Sequence, residues 1–354
     1  AAASPALKAR AGLDLALVAV ATSTRTACAT PPDGRLDPAA GAPTLLSSSS
    51  STSAPTSLPA LATFLTSLPR PVVLVDCSSG PAVPDALYGT CLAGGVSVVT
   101  PNKAFAAGTP DAAFRAALAA GAAAGARYCG EATVGAGLPI LSTLASLVDT
   151  GDSVQSVEGV FSGTLSFLFN ALEADPGRPF SGIVAQARAA GYTEPDPRED
   201  LSGADVARKA VILARAAGVT GLELERDVAV DSLVPPGLGG ADLSAEAFLE
   251  GLKAHDASMA ARAAAAAAEG KALRFVARVD VVAGTAAVRL VSVPASGHPL
   301  SGLAGAENAF AFTTARYPAS APLVVRGPGA GAAVTAGGVF SDVLAVARGA
   351  GARV

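Results

Sequence analysis

The chain has 354 residues, a formal net charge of −4 and only 15% charged residues against 51% hydrophobic ones. That is long enough for two domains with a substantial core, and an acidic chain without a basic run excludes nucleic acid as an expected partner. No apolar stretch of about 18 residues runs without a charge, so no membrane span is expected. Four cysteines (Cys28, Cys77, Cys91, Cys129) without C-x-x-C spacing and two histidines argue against a zinc site and a secreted disulfide framework.

The opening AAASPALKARAG lacks a basic-then-apolar signal design and reads as a trimmed or partial chain, with residues 6–11 the tail of a helix. Residues 13–21 (LDLALVAVA) read as a buried strand running into Ser23, Thr24 and Arg25. Residues 31–59, with SSSSSTSAPTS at their centre, read as a mobile low-complexity surface insertion. A helix over 61–68 leads to a strand over 72–75 that ends at Asp76, Cys77 and Ser78. A further strand over 95–99 ends at Thr100 to Lys103. Strands alternating with helices predict a parallel sheet with crossovers, and ligands then sit beyond the carboxyl ends of the strands. The three polar clusters all fall at such ends, which points to a nucleotide-type site.

A dinucleotide fold also needs a strand and a G-x-G-x-x-G turn ahead of residue 13, and neither is seen there. The lookalike Gly327-Pro-Gly329-Ala-Gly331-Ala332 follows a strand over 323–326, but too little sequence follows it for the second strand and its acidic residue. Where a carboxylate would bond the ribose 2′-OH, Ser23, Thr24 and Arg25 stand instead. That suits a 2′-phosphate, so NADP(H) is expected ahead of NAD(H). The plain alternative is that Arg25 is merely solvated.

The second half predicts a strand over 154–161, helices over 163–172 and 180–190, a strand over 228–233, a helix over 245–269, antiparallel strands over 271–283 and 286–294, and a closing helix over 334–349. Strands and helices run in blocks, the mark of an α+β domain. His255 and His298 have no clustered partner and read as surface residues.

The charge that the chain otherwise withholds is concentrated in residues 191–209, GYTEPDPREDLSGADVARK. Pro195 and Pro197 keep the first half extended. Ser202 with Asp205 three residues on reads as a capping box, starting a helix over 204–217 that Gly218 ends. Asp205 and Lys209, four apart, share one face of it. Taken alone, that pair is a cap and an exposed ion pair worth about 0.3–0.5 kcal/mol.

Taken as a string, the stretch resembles the GY-x-EPDPR-x-DLSG-x-DVARK signature of homoserine dehydrogenases. The segments EATVGAGLP (131–139) and FSGTLS (161–166) are similar to further parts of that family. The resemblance runs nearly end to end. It implies an α/β Rossmann-like nucleotide-binding domain, N-terminally incomplete, over 1–130; an α+β substrate-binding and dimerisation domain over 131–316; and a C-terminal segment, 317–354, returning to the nucleotide domain. It implies NADPH-dependent, reversible reduction of aspartate 4-semialdehyde to homoserine, in amino-acid biosynthesis.

By motif position, Lys209 is the implied proton donor and Lys103 a second lysine near the cofactor and the reacting oxygen. Glu194 and Asp205 suit the substrate ammonium, with Asp200 in support. Arg25, Ser78, Lys103, Gly329 and Gly331 fall on the cofactor side. Main-chain carbonyls of Glu131, Val134, Ala136 and Leu138 map onto a monovalent-cation (Na+) site, although Glu131 read by itself is an ordinary buried carboxylate. Residues 308, 309 and 313–315 lie where the family has a loop over the substrate region. The resemblance also implies a homodimer, a small amino-acid substrate, and a link to aspartate kinase, to which some members are fused. The compartment is expected to be soluble and reducing: plastid stroma in a photosynthetic eukaryote, cytoplasm otherwise. Two other readings stay open: a decayed copy that keeps the fold and dimer surface without holding NADP, and a dehydrogenase for another small carbonyl compound.

Overall fold

The computed structural model describes residues 9, 12–29, 34–37, 41–47, 51–240 and 242–349. The chain divides into two compact units. The first comprises Ala1–Val99, Arg115–Cys129 and Phe340–Val354; the second comprises Thr100–Phe114 and Gly130–Val339. The helix tail expected over 6–11 and the serine run at 48–50 lie outside the described residues, residue 9 apart.

In the first unit, β1 (Ala19–Ala21), β2 (Arg25–Ala29) and β3 (Ser51–Pro55) form an antiparallel sheet in that order. This corrects two expectations. The strand expected over 13–21 shrinks to its last three residues, and Ser23 to Arg25 occupy a hairpin rather than the carboxyl end of a parallel strand. Three residues between β1 and β2 cannot hold the crossover that parallel pairing requires. Thr22 closes the hairpin: its N–H donates to the Arg25 carbonyl at 2.8 Å, and its Oγ1 accepts from the Arg25 N–H at 3.2 Å. The second correction concerns the segment 31–59. Its described part holds a helix, Gly41–Ser47, and contributes β3 to the sheet, because alternating Ser, Thr and Ala can pair as an edge strand where the backbone supplies the bonds.

The parallel sheet of the first unit is β4 (Val72–Val75), β5 (Val96–Val99) and β6 (Tyr128–Cys129), in the order β4-β5-β6. All four residues of β5 are buried, as a near-continuous apolar run in a parallel sheet should be. The helix Leu58–Ser67 precedes β4, with Ser57 as its cap accepting from the Ala60 N–H.

The second unit is built on a six-stranded sheet: β7 (Val154–Val160), β8 (Val228–Val230), β9 (Lys271–Asp280), β10 (Thr285–Pro294), β11 (Glu307–Thr314) and β12 (Leu323–Pro328), in the order β12-β11-β7-β9-β10-β8. All its pairings are antiparallel except β10 with β8. Helices Gly163–Ala174, Ala204–Ala216 and Asp256–Ala268 pack against β9. The core includes Phe161 and Phe310, both fully buried and stacked with ring centroids 4.5 Å apart. Residues 308, 309, 313 and 314 belong to β11, a strand with partners on both sides, and not to a loop. The alternation that marks a strand is hidden here because Ala309, Phe310, Ala311 and Phe312 are all buried. The helix expected over 245–269 breaks at 253–255 into Ala245–Leu252 and Asp256–Ala268. The last helix, Ala332–Gly349, is by length and composition apolar enough to cross a membrane, yet it carries Asp342 and Arg348.

Candidate active site

The charged stretch folds as two short pieces and a helix. Asp196 caps the helix Pro197–Leu201, accepting from the Arg198 N–H at 2.9 Å, and its carboxylate holds the Arg198 guanidinium. Arg198 also donates to the carbonyls of Gly240 and Leu243, both at 2.6 Å. The Arg198 side chain's hydrogen bond holds the Asp196 carboxyl below its usual range. This pair is a structural clasp that fixes the turn. The capping box expected at Ser202 and Asp205 does not form. Gly203, at φ 75°, starts the helix Ala204–Ala216, and Ser202 Oγ donates to the Glu199 carbonyl. A left-handed residue is needed at that point, and glycine adopts it without a Cβ penalty.

Released from capping, Asp205 meets both lysines. Its Oδ2 lies 2.7 Å from Lys209 Nζ, and its Oδ1 lies 3.2 Å from Lys103 Nζ. Lys209 Nζ also donates to the Phe161 carbonyl at 2.8 Å, which aims it toward the end of β7. Burial alone would raise the Asp205 carboxyl, but the Lys209 and Lys103 ammoniums outweigh it and hold the group well below the carboxylate range. Lys103 precedes a π-helical turn, Ala104–Gly108, where Asn102 Oδ1 accepts from the Ala104 N–H.

These groups line a cavity of about 960 Å³ lying wholly in the second unit, which also takes in Glu194, Asp200, Arg208, Gly329 and Gly331. Asp200 Oδ2 accepts from the Glu194 N–H at 2.9 Å; burial pushes its carboxyl up, opposed in part by that bond. Thr164 Oγ1 donates to the Tyr192 carbonyl at 2.6 Å, joining the start of the Gly163–Ala174 helix to the charged stretch. Gly329 leaves room for Asn308: a Cβ there would fall 2.0 Å from Asn308 Nδ2 unless that side chain shifted.

Of the residues singled out from sequence, Lys103, Glu194, Asp200, Asp205, Lys209, Gly329 and Gly331 therefore share one cavity. Arg25 and Ser78 lie in the first unit. Arg25 is exposed in the β1–β2 hairpin; the Ser78 N–H donates to Asp76 Oδ1 at 2.8 Å at the carboxyl end of β4. The loop bearing Glu131, Val134, Ala136 and Leu138 is in the second unit. The Glu131 carboxylate accepts from the N–H groups of Ile140, Leu141 and Ser142 at 2.7–2.8 Å, capping the helix Leu141–Asp149. Ala136 takes a left-handed φ of 55°, costly for a residue with a side chain. Among the described residues no His, Cys, Asp and Glu side chains cluster to hold a metal. Sequence reasoning missed the Phe161 carbonyl; Asn308, placed near the substrate region only by resemblance, is buried, and its Nδ2 donates to the same oxygen at 3.1 Å. A main-chain acceptor leaves no side-chain signal; the FSGTLS run was the one available pointer.

Acid–base groups of both signs in one cavity, on a chain whose other unit carries the parallel strands of a nucleotide fold, fit an oxidoreductase. Two family models agree: "Homoserine dehydrogenase, NAD binding domain" matches residues 5–129, and "Homoserine dehydrogenase" matches residues 139–344. The chain belongs to the homoserine dehydrogenase family of NAD(P)-dependent oxidoreductases. It is 49% identical to a maize chloroplastic bifunctional aspartokinase/homoserine dehydrogenase over 77% of its own length, but spans only 29% of that protein. It is 44% identical to the homoserine dehydrogenase of Schizosaccharomyces pombe, covering 82% of this chain and 76% of that one. A crystal structure of a Candida auris protein of unknown function superposes with a TM-score of 0.84 at 37% identity, covering 94% of this chain and 90% of that one.

Proposed function

We propose that this chain catalyses the NADPH-dependent, reversible reduction of L-aspartate 4-semialdehyde to L-homoserine, in the branch leading to threonine, methionine and isoleucine. The observation that carries the reading is the Lys103–Asp205–Lys209 cluster in a cavity that also holds Glu194 and Asp200. A zwitterionic substrate needs both signs of charge. Glu194 and Asp200 serve its ammonium; Asp205, whose two oxygens already meet the lysines, acts chiefly by holding them. Reduction forms a C–H bond at the aldehyde carbon and moves the carbonyl electron pair to oxygen, where Lys209 delivers a proton and Lys103 stabilises the negative charge.

The nicotinamide cofactor supplies the hydride when bound. The residues present fit such a group: Asp76 accepts from the Ser78 N–H and from Tyr88 Oη, shaping the loop beyond a parallel strand, the usual place for a nucleotide. Gly329 and Gly331 keep side chains out of the cavity wall. In the first unit Ser78 would face the cofactor, and the second unit, taken by itself, offers Lys103, Gly329 and Gly331 to a cofactor. Arg25, exposed at its hairpin, would meet a 2′-phosphate and favour NADP over NAD; Arg25→Glu should then weaken NADPH more than NADH, and equal effects would remove it from that role. The backbone at Glu131, Val134, Ala136 and Leu138 would hold Na+, a reading supported by the strained φ at Ala136. Exchanging Na+ for tetramethylammonium should lower turnover, and unchanged rates would sink the cation site.

For partners, a homodimer is proposed through the polar face of the six-stranded sheet, where Gln155, Glu158, Arg278 and Thr313 line an open cavity. Light scattering at the monomer mass would overturn it. The maize relatives join this domain to aspartokinase, and a kinase link for this chain is proposed by analogy with them. Their compartment is the chloroplast by name; plastid stroma is proposed for a photosynthetic source and cytoplasm otherwise.

The deciding experiment follows NADPH oxidation with aspartate semialdehyde. Turnover supports the reading. A folded chain that is silent with this substrate overturns it, and turnover with a different small carbonyl compound alone would favour a related dehydrogenase.

A further inference from the structure

Arg215 lies ten residues beyond Asp205, at the far end of the same helix and away from the cavity lining. Its side chain is 2% exposed, and arginine is almost never so buried unless paired. Its Nη1 donates to the carbonyls of Ala106, at 3.0 Å, and Thr109, at 2.9 Å. Its Nη2 reaches Glu223 Oε2 at 3.3 Å, its Nε lies 3.4 Å from Asp111 Oδ1, and its guanidinium carbon sits 5.3 Å over the Phe114 ring. Glu223 and Asp111 are tied in turn, since Glu223 Oε1 accepts from the Asp111 N–H at 2.9 Å.

Ala106 and Thr109 follow Lys103 by three and six residues, and Ala106 belongs to the π-helical turn that begins at Ala104. The segment that carries Lys103 is thus seated on the helix that carries Asp205 and Lys209. Lys209 needs no such help, because its own helix places it. A buried ion network of this kind is weak evidence for stability, since desolvation offsets its attraction. What the planar five-donor fork supplies, and an ammonium does not, is fixed geometry.

We propose that Arg215 is a positioning residue: its guanidinium locks the 104–111 segment onto the Ala204–Ala216 helix and so sets where Lys103 stands relative to Asp205 and Lys209. The catalytic consequence rests on the function proposed above; the placement of Lys103 does not.

The test compares wild type, Arg215→Lys and Arg215→Gln as full chains. Each lysine's rate of acylation by a water-soluble amine reagent is read by mass spectrometry, beside melting temperature and turnover. Both variants should leave Lys209 labelling unchanged and raise Lys103 labelling several-fold. Turnover should fall on the order of 10- to 100-fold, the scale on which small misplacements cost rate, in kcat more than in substrate KM. Wild-type labelling of Lys103 in Arg215→Lys would show that charge alone suffices and overturn the proposal. So would a parallel rise at both lysines, the sign of general loosening. Should the Arg215 variants fail to melt cooperatively, Asp111→Asn removes the negative charge beside Nε and is read by the same Lys103-to-Lys209 ratio. A wild type without turnover would count against the proposed activity, while the labelling ratio would still decide this inference.

Discussion

Lys209 Nζ stands 2.7 Å from Asp205 Oδ2, one helical turn along the same helix, with only 12% of the lysine side chain exposed. The contact is held by helix geometry on one side and by the Phe161 carbonyl on the other, so the amine has little freedom. A proton donor held this way needs no reorganisation at the moment of reaction. Replacing Lys209 by Ala should lower kcat by about 10²- to 10⁴-fold, the usual contribution of a positioned acid, and leave cofactor affinity near wild type. Steady-state kinetics with both substrates varied would check this; normal turnover removes Lys209 from the role.

Glu194 is exposed within the cavity, and its backbone is fixed by Asp200. Glu194→Gln keeps the shape and removes the charge. Charge-assisted bonds contribute about 1.5–3 kcal/mol, so the semialdehyde KM should rise roughly tenfold or more, with a smaller change in kcat. Unaltered substrate kinetics would count against ammonium binding.

Asp205 and Asp200 should show opposite signs in stability against pH. The Asp205 carboxyl lies below its ordinary 3.8: its stabilising contribution is present above that value and is lost as pH falls through the lowered one. Asp205→Asn should therefore lower the melting temperature at pH 7, with the deficit shrinking in acid. The Asp200 carboxyl is raised by burial: its contribution is present below 3.8 and lost as pH rises through the raised value. Asp200→Asn should therefore melt higher than wild type at pH 7 while binding substrate less well, and the gain should vanish in acid. Melting curves across pH would read both, and shifts of the same sign would break the assignment.

Gly329→Ala would drive a Cβ to 2.0 Å from Asn308 Nδ2, on a side chain with no exposed surface to move into. Overpacking of this kind costs about 1–3 kcal/mol. Denaturant midpoints should fall accordingly, with turnover reduced as the loop is pushed toward the cavity. An unchanged midpoint would mean that the Asn308 side chain yields easily.

Sequence reading placed the pairing of Asp205 with Lys209, the strand over 154–161 and the helices over 163–172, 180–190 and 204–217 close to where they stand, because period and local chemistry agree there; it missed the short helices Pro197–Leu201, where it expected extended chain, and Leu224–Asp227. It misplaced the region around Arg25. LDLALVAVA is equally consistent with an extended segment and a buried strand, and only pairing tells them apart. It took 308, 309 and 313–315 for a loop from the resemblance, and the residues did not correct it, because a strand buried on both faces loses its alternation. It read Asp205 as part of a capping box because Ser202 and Asp205 have the right spacing; Gly203, at φ 75°, took the cap position and left the carboxylate to the lysines.

The chain by itself determined the family, the two-part organisation and the residues that carry charge, since these reside in residue types and short spacings. Only the tertiary structure decided that Lys103, 102 positions before Asp205, shares that carboxylate with Lys209. It alone showed the Phe161 carbonyl holding Lys209 and a buried arginine seating the Lys103 segment. Contacts between distant segments depend on how helices and sheet pack around one core, and a linear pattern of side chains does not encode such distances locally.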